Sequence, residues 1–208
     1  MTTVRRPAAA AEQPVDAALT ADLALCRDGD DAAFARVYRA VQPGLMRYLG
    51  VLVGAEVDDV AAETWAQACR DLPRFSGDID AFRAWIATIG RHRALDHLRA
   101  RRRRPAEPMS HALPWVGEML AAPDDTAADA LDAHATARAM ALIATLPREQ
   151  AEAVVLRAVL GLDAAAAGRV LGKRPGAVRT AAYRGLRTLQ ERLAECDVFD
   201  DPGADEVR

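Results

Sequence analysis

The stretch Leu146–Leu193, LPREQAEAVVLRAVLGLDAAAAGRVLGKRPGAVRTAAYRGLRTLQERL, constrains the fold more than any other part of the chain. It reads as a four-helix unit that ends in a helix-turn-helix. Asp163 suits a helix cap, because its carboxylate accepts orphan backbone N–H bonds of the first turn. The helix that it caps runs from Ala164 to Leu171. Gly172 fits the left-handed position that closes a helix. Lys173 and Arg174 begin the turn. Pro175 suits the first turn of the next helix, where its missing N–H is not needed. Beyond it, Val178, Ala182, Leu186, Leu189 and Leu193 recur at helical spacing and predict one buried face. The other face carries Arg179, Thr180, Tyr183, Arg184 and Arg187. A DNA-reading helix needs this split: an apolar side for its partner helix, and an Arg/Thr/Tyr side for phosphates and base edges. An ordinary amphipathic helix with a solvated basic face is the bland alternative. The short preceding helix, the glycine stop and the basic turn together favour the reading helix.

A second basic segment, HRALDHLRARRRR (His92–Arg104), lies upstream. The whole chain carries a formal net charge of −3, which taken alone argues against nucleic acid. Its distribution argues the other way. Residues 31–104 are net +4, 105–135 net −6, 136–193 net +6, and 194–208 net −5. Phosphate contacts are local, so the charge of each patch matters more than the total. Arg91, His92, Arg93, His97, Arg99 and the run Arg101–Arg104 offer many such contacts. Four consecutive arginines exceed what balancing a helix dipole requires.

The expected fold class is all-α: two small helical domains joined by a flexible acidic linker. Residues 1–20 show no periodicity and are expected to be disordered. The first domain spans 21–104. Within it Phe34, Val37, Tyr38, Val41 and Leu45 mark a buried helix face. A helix from Val57 to Cys69 carries Asp58 and Asp59 near its positive end. Pro73 and Gly77 mark a loop over Asp71–Asp80. Phe82, Trp85, Ile86 and Ile89 open a long helix that Pro105 stops. Their spacing assigns Phe82 and Trp85 to the core. Phe75 lies off any stripe and suits either an exposed base or an inward loop anchor. Residues 105–135 hold four prolines and no Lys or Arg, and read as a linker with an apolar patch at Leu113, Trp115, Val116, Met119 and Leu120. The second domain spans 136–193, and 194–208 form an acidic tail.

Several function classes are disfavoured. No apolar run is long enough to span a membrane, and no secretory signal opens the chain. Cys26, Cys69 and Cys196 are odd in number and far apart, which suits a reducing cytoplasm. His92 and Asp96 share a helix face, but no third ligand stands at a known spacing. No phosphate-binding glycine loop, nucleophile elbow or Cys–His pair is present. No catalytic residue, metal or cofactor is expected.

VDDVAAETWAQACRDLPRFSGDIDAFRAWIATIGRHRALDHLRARRRR (Val57–Arg104) resembles region 2 of the extracytoplasmic-function (ECF) sigma factors of bacterial RNA polymerase. LPREQAEAVVLRAVLGLD and LGKRPGAVRTAAYRGLRTL resemble region 4 of the same family. The resemblance implies a promoter-specificity subunit without catalysis of its own. Asp58, Asp59, Glu63, Thr64, Trp65 and Gln67 would bind the clamp of the polymerase's largest subunit. The loop Arg74, Phe75, Ser76, Gly77, Asp78 and the helix residues Arg91, His92, Arg93, His97 and Arg99 would recognise the −10 element. Arg179, Thr180, Tyr183 and Arg184, with Ala177 and Arg187, would read the −35 element, and Lys173 and Arg174 would hold its phosphates. The second domain would also touch the flap of the second-largest subunit. Promoter DNA and core RNA polymerase are thus the implied partners, with an anti-sigma factor as a further one. Ala62 departs from the Gln of many members, and DAAAAGRV (Asp163–Val170) lacks their Glu-Ile-Ala. The competing reading is a stand-alone helix-turn-helix regulator; a small helical hydrolase using Asp96 and His97 lacks a third group.

Overall fold

The computed structural model describes the backbone of residues 9–103 and 127–199, and the side chains of 14–103 and 134–194. Among the described residues there are helices and no strands. The first module contains α1 (Ala9–Arg27), α2 (Asp31–Val53), α3 (Val57–Asp71) and α4 (Ile79–Arg103). The second contains α5 (Ala127–Ala144), α6 (Arg148–Ala158), α7 (Ala164–Leu171) and α8 (Pro175–Phe199).

Local chemistry sets the helix ends. Asp30 caps α2 by accepting from the Ala33 N–H at 2.8 Å, and Gly54, at φ 65°, closes it. Asp78 caps α4 in the same way, its Oδ1 accepting from the Ala81 N–H at 2.8 Å. The cap, and not the first aromatic, therefore fixes the start of α4 at Ile79, three residues before the expected Phe82. In the core of this module Val37, Leu45 and Leu49 of α2 meet Val60 and Trp65 of α3 and Phe82 and Ile86 of α4. Trp65 is ringed by aromatics, with centroids 4.8 Å from Tyr38, 5.9 Å from Phe34 and 6.3 Å from Phe82.

Four features differ from expectation. Residues 9–20, expected to be disordered, form most of α1. Leu19 and Leu23 are buried there, Asp16 pairs with Arg83 at 2.8 Å, and Thr20 Oγ1 accepts from the Ile79 N–H at 3.1 Å. An alanine-rich stretch needs little periodicity to be helical once its few leucines find a core. The linker is shorter than expected, since α5 begins at Ala127; its apolar patch lies outside the described residues. The acidic tail is likewise helical as far as Phe199. Finally, Val178, Ala182 and Leu189 are buried as expected, but Leu186 and Leu193 are 47% and 43% exposed. The line of closest approach explains this. A Cβ at Gly185 would come within 2.8 Å of the Val154 side chain, so α8 presses on α6 along Gly185 and Leu189. Leu186 and Leu193 stand roughly 60–80° round the helix from Val178, at the edge of that contact.

The two modules also touch. Helix α2 packs on α5 and α6, α4 packs on α7, and the buried side chains of both halves form one continuous cluster. Sequence periodicity assigns faces within a helix and is silent about such a contact.

Candidate nucleic-acid interface

The helix-turn-helix is built as the sequence implies. Asp163 Oδ1 accepts from the Ala166 N–H at 2.6 Å, and Gly172 sits at φ 65°, ψ 33°, the left-handed position. The Lys173 N–H then donates back to the Gly168 carbonyl at 2.9 Å. A Cβ at Gly168 would stand only 2.6 Å from the Lys173 carbonyl oxygen, so the turn closes only over a glycine. The Ala166 N–H holds the Asp163 carboxyl below the usual carboxylate range. A carboxyl lowered in the folded state adds stability above its unfolded pKa and loses it as pH falls through the folded value. The Tm advantage of the wild type over Asp163→Asn is therefore expected to shrink on acidification. Thermal melts at neutral pH and near pH 3 test this; an advantage that grows in acid rules out the charged cap.

Arg179, Thr180, Tyr183 and Arg184 all face solvent on α8, with Tyr183 68% exposed. Ala177 and Arg174 are exposed beside them. Lys173 Nζ lies 2.6 Å from Glu149 Oε1, and this bond holds the Glu149 carboxyl below its usual range. Arg187 pairs along its own helix with Glu191 at 2.8 Å. Glu149, Lys173, Ala177, Thr180 and Arg184 line a shallow cleft of about 460 Å³. Among the described residues the surface thus offers Arg174, Arg179 and Arg184 without a carboxylate partner and Lys173 and Arg187 with one.

The first module presents the loop after α3. Arg74, Ser76, Gly77 and Asp78 are exposed on it. Phe75 takes the inward role of the two open to it: its ring lies 5.0 Å from Trp85 and 5.4 Å from Phe82. On α4, His92 is exposed and His97 half-buried. Arg99 holds Asp96 at 2.7 Å, and Arg101 pairs with Glu56. Arg93 donates twice to Gln67 Oε1, at 3.0 and 2.6 Å, which ties α4 to α3. Of the residues expected on the polymerase-facing helix, Asp58, Asp59 and Glu63 are exposed. Thr64 and Trp65 point inward, a correction to their expected placement. Thr64 is fully buried and donates to the Val60 carbonyl, and the Trp65 indole N–H donates to Gln42 at 2.6 Å.

One cluster escaped the sequence reading. Glu152 on α6 is only 3% exposed, yet it accepts from three side chains. Arg91 Nε of α4 lies 2.8 Å away, Arg148 Nε of α6 at 2.9 Å, and the Tyr48 hydroxyl of α2 at 3.3 Å. Burial, and then the Glu152 charge, push the Tyr48 phenol well above its ordinary value. The available signal was a single carboxylate inside the otherwise apolar run Ala151–Leu156, all of which is buried.

The described residues thus define a two-module helical protein that carries a helix-turn-helix with an exposed basic face, and comparison with known proteins places it in a family. Residues 33–104 match the Sigma-70 region 2 model, and residues 136–189 the Sigma-70, region 4 model. The chain is 36% identical over 178 residues to the ECF RNA polymerase sigma factor ShbA of Streptomyces griseus, covering 81% of this chain and 91% of that one. It is 32% identical to SigD of Mycobacterium tuberculosis, covering 79% of each. It is also 32% identical to BldN of Streptomyces coelicolor over 80% of this chain, and there spans 62% of the relative's length. The chain belongs to the ECF family of RNA polymerase sigma factors. Sigma factors are promoter-specificity subunits and not enzymes. Among solved structures, CnrH in complex with the cytosolic domain of CnrY shares the fold at TM-score 0.57 and 23% identity, covering 86% of this chain and 98% of that one. The sigma factor RpoE in complex with the anti-sigma factor NepR from Bartonella quintana does so at TM-score 0.55 and 20% identity, covering 77% and 96%. Among the described residues no helix is long and apolar enough to cross a membrane.

Proposed function

We propose that this sigma factor divides promoter recognition between its modules, working in the cytoplasm with core RNA polymerase. The exposed α8 face Arg179, Thr180, Tyr183 and Arg184 reads the −35 element in duplex form, with Lys173 and Arg174 on phosphates. The loop residues Arg74, Ser76 and Asp78, with His92 and Arg99 of α4, work at the −10 element. Asp58, Asp59 and Glu63 of α3 face the polymerase clamp. The Bartonella quintana neighbour was solved with an anti-sigma factor, and we extend that class of partner to this chain.

The observation that carries this reading is the α8 face itself. Two arginines, a threonine and a tyrosine stand exposed on a helix whose other side is locked into a tight helix-turn-helix. Run-off transcription from genomic DNA, with core polymerase and with or without the chain, tests it. Transcripts that share two spaced upstream elements are the expected result; no stimulation with a matched core polymerase sinks it. Arg179→Ala or Arg184→Ala is expected to weaken −35-dependent initiation by about 1–3 kcal/mol for each base edge that goes unread. An unchanged promoter preference in both variants means that the reading helix is misassigned.

A further inference from the structure

We infer that the free chain rests in a closed state latched by Glu152, whose carboxylate holds Arg91 in the place that a DNA phosphate takes in the open state. The inference rests on the promoter reading above, and on three observations.

The first is geometric. Glu152 belongs to the second module, while Tyr48 and Arg91 belong to the first. The carboxylate is 3% exposed, and two of its three partners reach it from α2 and α4. The latch joins the modules beside the apolar contacts of α2 with α5 and α6 and of α4 with α7.

The second is one of length. The −10 and −35 elements lie about 25 base pairs apart, roughly 85 Å at 3.4 Å per base pair. A compact body of this chain length is roughly 45 Å across. Modules packed on one shared core cannot reach both elements, so promoter engagement requires them to part. Between Arg103 and Ala127 the sequence supplies 23 residues, and a chain of that length reaches roughly 80 Å when extended.

The third concerns charge. Burying an ion pair gains little net, because desolvation offsets the attraction, whereas stranding one partner is costly. This latch opens without stranding either. Arg148 sits four residues from Glu152 on the same helix and stays with it when the modules part. Arg91, which meets Glu152 through Nε alone, exchanges one oxyanion for another on the promoter, carboxylate for phosphate. Opening on a promoter therefore wets the Tyr48 hydroxyl and the apolar contact but leaves neither Arg148 nor Arg91 without an anion.

The test uses the full chain with Glu152→Gln and Tyr48→Phe. The first variant removes the charge and the second only one hydroxyl, so the second remains informative if the first folds poorly by circular dichroism. Small-angle scattering reads closure directly, and a labelled chain titrated with core RNA polymerase reads the cost of opening. A closed fraction weakens apparent affinity in proportion to its population. The wild type is expected to be compact. Glu152→Gln should gain several ångströms in radius of gyration and bind core polymerase about fivefold or more tightly, and Tyr48→Phe should move both readouts less in the same direction. Folded variants as compact as the wild type, with unchanged affinity, overturn the latch, as does a wild type that is already extended. Run-off transcription by the wild-type holoenzyme judges the underlying reading separately. Loss of compaction in the variants without promoter-directed synthesis by the wild type keeps the latch and discards its purpose.

Discussion

Phe82→Ala is expected to lower the stability of the first module by about 3–5 kcal/mol, the range for truncating a buried phenylalanine. A domain of this kind is stable by about 5–15 kcal/mol, so the substitution removes a large part of the whole. Phe82 is 1% exposed and sits at the centre of the aromatic group. Its ring centroid lies 5.4 Å from Phe75, 5.5 Å from Trp85 and 6.3 Å from Trp65. Three large, stiff rings cannot collapse into the space that it leaves, so the cavity persists and the loss falls toward the upper end. Urea unfolding followed by tryptophan fluorescence is a direct measurement, because Trp65 and Trp85 both report on the site. A drop below about 1 kcal/mol would show that the rings repack and that the core is plastic here.

Gly168→Val is expected to cost most of the −35-directed transcription while leaving the first module folded. The obstruction at this position is backbone: the Lys173 carbonyl oxygen stands 2.6 Å from the site of a Cβ. A flexible side chain could move aside, but this carbonyl is tethered, because the Lys173 N–H is itself bonded to Gly168. The turn must open or α8 must tilt. Overpacking of this kind costs about 1–3 kcal/mol. The functional loss should exceed the stability loss, since small misplacements of a reading helix break several DNA contacts together. Ala165→Ser, at an exposed position of the same helix, should be near neutral and serves as the control. Wild-type melting and transcription in Gly168→Val would refute the tight turn.

The helix-turn-helix was legible because its punctuation is chemical: a capping Asp163, a left-handed Gly172 and a first-turn Pro175 each do one job that few residues do. The exposed set on α8 followed from the same periodicity. The register of burial was less legible, because Leu186 and Gly185 are neighbours and the sequence does not say that the position without a side chain makes the closest approach. Helix α1 was hidden by composition, alanine carrying helix propensity without an apolar stripe. Thr64 and Trp65 enter the polymerase-binding set by resemblance alone, and the aromatic surround of Trp65 is one that spacing does not assemble. Glu152 shows the clearest limit: two of its three partners lie 61 and 104 residues away in sequence, and no local pattern joins them.

The seating of Phe75 against Phe82 and Trp85 separates two problems that a loop usually has to solve together. The anchor lies beneath the loop, while Arg74, Ser76 and Asp78 stand on its rim in solvent. Asp78 also caps α4, but Arg74 and Ser76 can be exchanged without opening the aromatic layer. The loop is in effect a rim on a fixed pedestal. The rim can be rewritten while the mount stays, so under the proposed −10 role a library varied at Arg74 and Ser76 alone is a route to altered promoter preference that begins from an intact fold.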